Sequence, residues 1–219
     1  MAFSDQLLEE GADIWEAQKS HPFVQELAEG SLDEAAFGYW IKQDYRFLLD
    51  YARLFAIAGA KARDEETMTD LLNVAHSTLS HEMDLHREFA GDYGISREEL
   101  ENVQKAPTCE AYTSFLIRTA YEGSIAEISA ALFPCGQGFL DIGERTAELA
   151  TEDHRYTPWI EMYTSDEFRE VVGLMRDFVD RSGEQYPGEH DAMREAFLTS
   201  ARLEYQFWEM AYTREGWGV

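Results

Sequence analysis

IAEISAALFPCGQGFLDIGERTAEL, residues 125–149, is the stretch on which the reading of the fold turns. Its apolar residues recur at three- and four-residue steps, and Ser124 with Glu127 gives the capping-box signal of a helix start just ahead of it. One helix over 125–149 is the simplest reading. Against it stand Pro134, Gly136 and Gly138, gathered around Cys135. Two interior glycines cost roughly 2 kcal/mol relative to alanine, and a proline adds about 3 more. Either packing demands small residues here, or a site is shaped around the sulfur. Proline favours the first turn of a helix, so a helix restarting at Pro134 would set Cys135 near its positive end, where a thiolate is favoured. Gly136 and Gly138 would then leave open space beside the sulfur. Phe139, one turn on, shares its face. The expectation is a reactive thiol in a partly aromatic pocket, weighed against a small buried hydrophobe.

Working outward, helix signals dominate. Capping boxes also occur at Ser31–Glu34, Ser96–Glu99 and Thr164–Glu167, each where an amphipathic run begins. The pattern predicts helices near 4–19, 32–62, 65–91, 97–101, 110–122, 125–149, 155–163, 165–182 and 189–213. Breaks fall at His21-Pro22, Gly91–Gly94, Pro107, Gly123, Pro158 and Tyr186-Pro187-Gly188. No segment alternates with strand period over a convincing length. No repeat or linker divides the chain. The prediction is an all-α multi-helix bundle, one domain over 1–219.

Hydrophobic residues make up 45% of the 219 and aromatics 13%, enough to build a core despite the charge. No apolar run reaches the roughly 18 residues a membrane helix needs, and the acidic N-terminus MAFSDQLLEE lacks a signal-peptide pattern. A cytoplasmic protein is the expectation. With 43 acidic and 18 basic residues the formal net charge is −25, and lysine is confined to Lys19, Lys42, Lys61 and Lys105. Nucleic acid and anionic membrane are poor partners for such a chain. The acids are spread along the chain, so they do not form an interaction tail. Self-repulsion of this size points to a salt-rich cytoplasm, where screening is strong. Neither Cys109 nor Cys135 belongs to a C-x-x-C pair, so zinc and thioredoxin-like sites lack support. Cys109, beside a helix start near Pro107, reads as structural.

Three further patterns carry chemistry. In IKQDYRFLLDYARLF (41–55), Asp44, Phe47, Leu48 and Tyr51 form an inward stripe. A buried carboxylate needs a donor: a structural partner is the usual one, a ligand amine or amidine the sharper one. In LEYQFWEMAYTREGWG (203–218), Glu204 shares a face with Phe207, Trp208 and Ala211. Two acids in aromatic stripes beside an oddly set cysteine suggest polar groups converging in an apolar pocket, with Tyr112 and Tyr163 able to add hydroxyls or flat faces. The histidines of HSTLSHEMDLHREFA do not suggest a metal. His81 faces away from His76 and His86, which lie about 15 Å apart along a helix axis. No histidine follows a glutamate by three residues, as di-iron bundles require. Glu82 and His86 read as a helix-stabilising pair.

The segments HPFVQELAEGSL (21–32), QDY (43–45), HREFA (86–90), AYTS (111–114), Pro134-Cys135 and EYQFWEMAYTREGW (204–217) resemble the TenA, or thiaminase II, family over essentially the whole chain. That resemblance implies a heme-oxygenase-like all-α fold. It implies hydrolysis of 4-amino-2-methylpyrimidine compounds, aminomethyl-aminopyrimidine or thiamin, to hydroxymethylpyrimidine for thiamin salvage, with no cofactor and no metal. By the same resemblance Cys135 is the nucleophile adding to C6 of the pyrimidine. Glu204 protonates the ring nitrogen and shuttles protons, and Tyr112 orients Glu204. Asp44 bonds the amino group and ring. Phe47 and Tyr163 flank the ring, with Phe139 and Phe207 at the site. Phe47 and Phe139 stand where relatives often carry tyrosine, which removes two hydroxyls. Homotetramers are usual in the family.

The chemistry fits the residues. Protonating a ring nitrogen while a thiolate attacks splits a difficult displacement into addition, expulsion and water addition. It asks for a pocket acid made less acidic by an apolar lining, the expectation for Glu204. Two other readings remain at this stage: a metal- or cofactor-dependent oxygenase or oxidase on the same fold, like the enzyme of pyrroloquinoline quinone synthesis, and a non-enzymatic pyrimidine binder or regulator.

Overall fold

The computed structural model describes residues 1–218, and among them no strand occurs. Twelve α-helices follow in order: α1 (Phe3–Glu10), α2 (Ala12–Lys19), α3 (Pro22–Glu29), α4 (Glu34–Lys61), α5 (Glu65–Ser77), α6 (Met83–Asp92), α7 (Arg97–Asn102), α8 (Pro107–Glu122), α9 (Ile125–Leu149), α10 (Thr157–Tyr163), α11 (Asp166–Gln185) and α12 (His190–Thr213). They fall into two compact units. One comprises Met1–Leu32 and Ala126–Glu209, the other Asp33–Ile125 and the stretch from Met210.

The first unit is built on α9, whose residues from Ala126 to Leu140 are, Glu127 excepted, all buried. The helix is continuous, with Pro134 in its interior. A restart at Pro134 is therefore corrected: Cys135 sits mid-helix, far from the end where a helix dipole acts. Proline there removes one N–H from the ladder and crowds the preceding turn. The carbonyl left without its helical donor is that of Ala130, while the neighbouring carbonyl ties this turn to another helix. The Ser200 hydroxyl, on α12, donates to the Ala131 carbonyl at 2.8 Å. The glycines have a packing reason too. A Cβ on Gly136 would lie 2.5 Å from the Met175 sulfur of α11, so the space expected beside Cys135 at that position is filled. On Gly138 a Cβ would sit 3.7 Å from Gln18 Oε1, an ordinary contact.

Buried polar side chains tie these helices together. Trp15 Nε1 and Gln137 Nε2 donate to the two oxygens of Asp141 at 2.8 and 2.7 Å, joining α2 to α9. Trp208 Nε1 donates to Gln18 Oε1 at 3.2 Å, joining α12 to α2. At the end of α3, Gly30 turns left-handed with φ 74°, and the His154 ring packs where its Cβ would be, 2.8 Å away. His154 Nε2 meets the Ala28 carbonyl at 3.1 Å. Tyr156 donates to the Leu32 carbonyl at 2.6 Å.

The second unit is organised by α4, 28 residues long, against which α5 and α8 pack most extensively. Asp33, not Ser31, caps α4, accepting from the Ala35 amide. Gly59 lets α5 close in: a Cβ there would meet Leu72 at 3.1 Å. Gln43, fully enclosed on α4, donates to the Gln104 carbonyl at 3.1 Å and accepts from the Ala106 amide at 2.8 Å. It thereby fixes the strap that leads into α8. Between α5 and α6 the chain does not run as the single regular helix expected over 65–91. Residues Thr78–Glu82 form a π turn, a wider coil seen mostly as isolated bulges, frequently at functional sites.

Candidate active site

In the first unit, Cys135 is 8% exposed, and Phe139 lies one turn further along α9. Phe139 packs its ring 4.7 Å from that of Tyr163 on α10 and 5.1 Å from that of Trp208 on α12. Trp159 closes the group, 4.7 Å from Tyr163. Phe139 and Tyr163 thus meet in an aromatic cluster that includes two tryptophans. Glu204 and Phe207 are both buried on α12, three residues apart and on one helix face. A carboxylate at 2% exposure is costly without polar partners, which sets Glu204 apart from the chain's many surface acids.

In the second unit, Asp44, Phe47 and Tyr51 face inward from α4 as the stripe predicted. Phe47 lies 4.9 Å from Tyr112 of α8, the rings tilted at 43°, and 5.3 Å from Tyr51. The donor that Asp44 required is His86: its Nε2 lies 2.5 Å from Asp44 Oδ2, while its Nδ1 lies 3.1 Å from the Glu82 carbonyl. His86 is wholly buried. Sequence reasoning paired it with Glu82 alone and missed Asp44. An inward acid signals that a donor is needed, but which residue supplies it is set by the packing of α6 against α4. Burial pulls the His86 imidazole toward neutrality, yet the hydrogen bond and charge of Asp44, with the charge of Glu82, raise its pKa above the ordinary histidine value. The Glu82 carboxyl belongs to a residue that keeps part of its surface in solvent. Burial first, then the Asp44 charge, push it up to about 7, against the pull of His86.

Cys109 is the other thiol. It is fully buried, donates to the Gln43 carbonyl at 3.6 Å, and is pushed up to about 12 mainly by burial, so it stays protonated and inert. Among the described residues no three His, Cys, Asp or Glu side chains gather to hold a metal ion, and no helix is long and apolar enough to cross a membrane.

Similarity to known proteins extends over nearly the whole chain. The family model described as the TENA/THI-4/PQQC family matches residues 9–214. The chain belongs to that family. It is 41% identical over 220 residues to an aminopyrimidine aminohydrolase of Halalkalibacterium halodurans, covering 99% of this chain and 98% of the relative. With an aminopyrimidine aminohydrolase of Bacillus subtilis it shares 37% identity, over 99% of this chain and 92% of the relative. A solved TenA homologue from P. horikoshii superposes with a TM-score of 0.91 at 28% identity, over 97% of this chain and 99% of that one. A Shewanella denitrificans protein with a heme oxygenase-like fold matches at a TM-score of 0.77 and 12% identity, over 96% of this chain and 92% of that one. The fold of this TENA/THI-4/PQQC member is accordingly heme-oxygenase-like and all-α.

Proposed function

We propose that the chain is an aminopyrimidine aminohydrolase of thiamin salvage. It converts 4-amino-2-methylpyrimidine compounds, aminomethyl-aminopyrimidine or thiamin, to hydroxymethylpyrimidine. The observation that carries this reading is end-to-end identity of 41% to a protein of that name. We take residues 1–219 as one catalytic domain, since the family match runs unbroken from 9 to 214.

In the proposed reaction the Cys135 thiolate adds to C6 of the pyrimidine while Glu204 gives a proton to the ring nitrogen. The exocyclic group then leaves, taking a proton through Glu204. Water replaces it, and expulsion of the thiolate restores the ring. Tyr112 is assigned the orienting of Glu204, Asp44 the amino group, and Phe47, Phe139, Tyr163 and Phe207 the flanks of the ring. Burial of Cys135 and Glu204 supports these roles, because a dry site strengthens each charge on the reacting atoms. Phe47 and Phe139 leave flat faces without hydroxyls, which favours stacking over hydrogen bonding to the substrate's ring substituents. We further take the protein to act as a homotetramer in a salt-rich cytoplasm. The charge of −25 supports the latter, and the unfolding midpoint in urea should rise on going from dilute buffer to molar KCl.

Hydroxymethylpyrimidine release from aminomethyl-aminopyrimidine and from thiamin, measured with wild type and Cys135→Ala in molar KCl, tests the proposal. Wild type should turn over at least one of them, and Cys135→Ala should lose about a thousandfold or more in kcat with its circular dichroism unchanged. Full activity in the variant would remove the sulfur from the mechanism. Binding of the pyrimidine without turnover by wild type would make the protein a binder.

A further inference from the structure

Asp44 and His86 meet in the interior, where a polar or charged pair rarely adds stability over well-packed apolar residues. Its presence asks for another reason. The hydrogen-bond geometry gives one. A neutral imidazole has one donor and one acceptor nitrogen. Here both ring nitrogens face oxygen acceptors: Nε2 the Asp44 carboxylate, Nδ1 the Glu82 carbonyl. The carbonyl has no proton to give, so Nδ1 donates. The second proton belongs to the short Nε2–Oδ2 contact. The π turn Thr78–Glu82 leads straight into α6 and sets Glu82 one turn before His86. The charged groups facing His86 are Asp44 from α4 and Glu82 from the π turn. The Trp40 ring of α4 lies against the imidazole, centroids 5.6 Å apart.

The geometry points to His86 as the positioning residue of Asp44: an imidazolium anchored on the Glu82 carbonyl holds the Asp44 carboxylate by Oδ2, so that Oδ1 is presented as an ionised acceptor to the amino group of the aminopyrimidine. This rests on the reading above that Asp44 binds the ring. Oδ1 itself makes no hydrogen bond among the described residues. The raised affinity of His86 for its proton, against the pull of burial, agrees with the imidazolium form. Without that cation a carboxylate at this depth would lack a charged partner, which is costly. His86 touches no reacting atom in this scheme and acts only through Asp44.

A double-mutant cycle on hydrolysis of aminomethyl-aminopyrimidine tests it, with unfolding curves recorded for each variant. Asp44→Asn should raise KM about tenfold to a hundredfold, with kcat much less affected, the signature of lost uniform binding. His86→Gln keeps an N–H donor of similar reach but not the charge, and should raise KM about threefold to tenfold. In the Asp44→Asn background the same His86→Gln change should alter KM less than about twofold, because coupled residues are non-additive. An equal effect of His86→Gln in both backgrounds, or none in either, overturns the positioning role. A wild-type KM for Asp44→Asn overturns the prior reading of Asp44 instead. Should His86→Gln not fold, nitrogen-15 NMR of wild type decides: both His86 ring nitrogens should carry protons at pH 7, and a neutral-imidazole signal would refute the proposal.

Discussion

Replacing Glu82 by glutamine should stabilise the protein, and only at the alkaline side. Burial and the neighbouring Asp44 charge raise the Glu82 carboxyl from 4.5 to about 7. A carboxyl whose affinity for protons is greater in the folded than in the unfolded chain makes the folded state bind more protons between those two values. Stability then falls as pH rises through that window and stays lowered above it. At 1.36 kcal/mol per pH unit of separation, the ionised Glu82 lowers stability by about 3 kcal/mol above pH 7, an upper figure because the residue keeps part of its surface in solvent, which screens the charge. Glu82→Gln, which keeps the shape and removes the charge, should recover about 2–3 kcal/mol at pH 8.5 and almost nothing at pH 4.5. Urea unfolding of wild type and variant across that range, each pH compared pairwise, cancels the titration of the other acids. A difference that does not change with pH, or one that grows toward acid, would refute the account of Glu82 as an ionisable group forced into protein.

Two further substitutions test the packing. Gly30→Ala places a Cβ in the left-handed region and against the His154 ring, so it should cost about 2 kcal/mol or more, read from the urea midpoint; a neutral result would mean the α3 turn yields freely. Ser200→Ala removes the donor to the Ala131 carbonyl on the turn before Cys135 and should cost about 1 kcal/mol, with unchanged stability showing that this bond between α12 and α9 adds nothing to the packing there.

Where apolar periodicity is long, the sequence was enough: α9 runs over the predicted 125–149 despite Pro134. Short and local devices were harder. His21-Pro22 reads as a break, yet it starts α3, with the His21 ring accepting from the Phe23 amide and Pro22 in the first turn. Histidine lies outside the usual capping residues, so the start signal was hidden. Thr164 reads as a cap, but Ser165 does the capping of α11. The π turn was hidden because its extra residue shifts the apolar stripe by a single position, and α6 buries only Met83, His86 and Ala90, too few to reveal the slip. Among site residues, the stripe of Asp44, Phe47 and Tyr51 was legible because helical spacing dictates it. Gly136 was not, because the atom that occupies its space, the Met175 sulfur, arrives from another helix. For the same reason Asp44 and His86, 42 positions apart, declare themselves only in three dimensions.

The π turn also sets where the chain can change length. A π turn holds one residue more than the α-helical turn it replaces. Losing one residue within 78–82 would close it to a regular coil and leave α6 in its present rotation. The same loss inside α4 would turn every later side chain on that helix by about 100°, swinging its inward residues toward solvent. Single-codon deletions in the gene should therefore survive at the π turn and be purged from α4, so that one stretch of this helical chain keeps a record of gained and lost residues that its neighbours cannot.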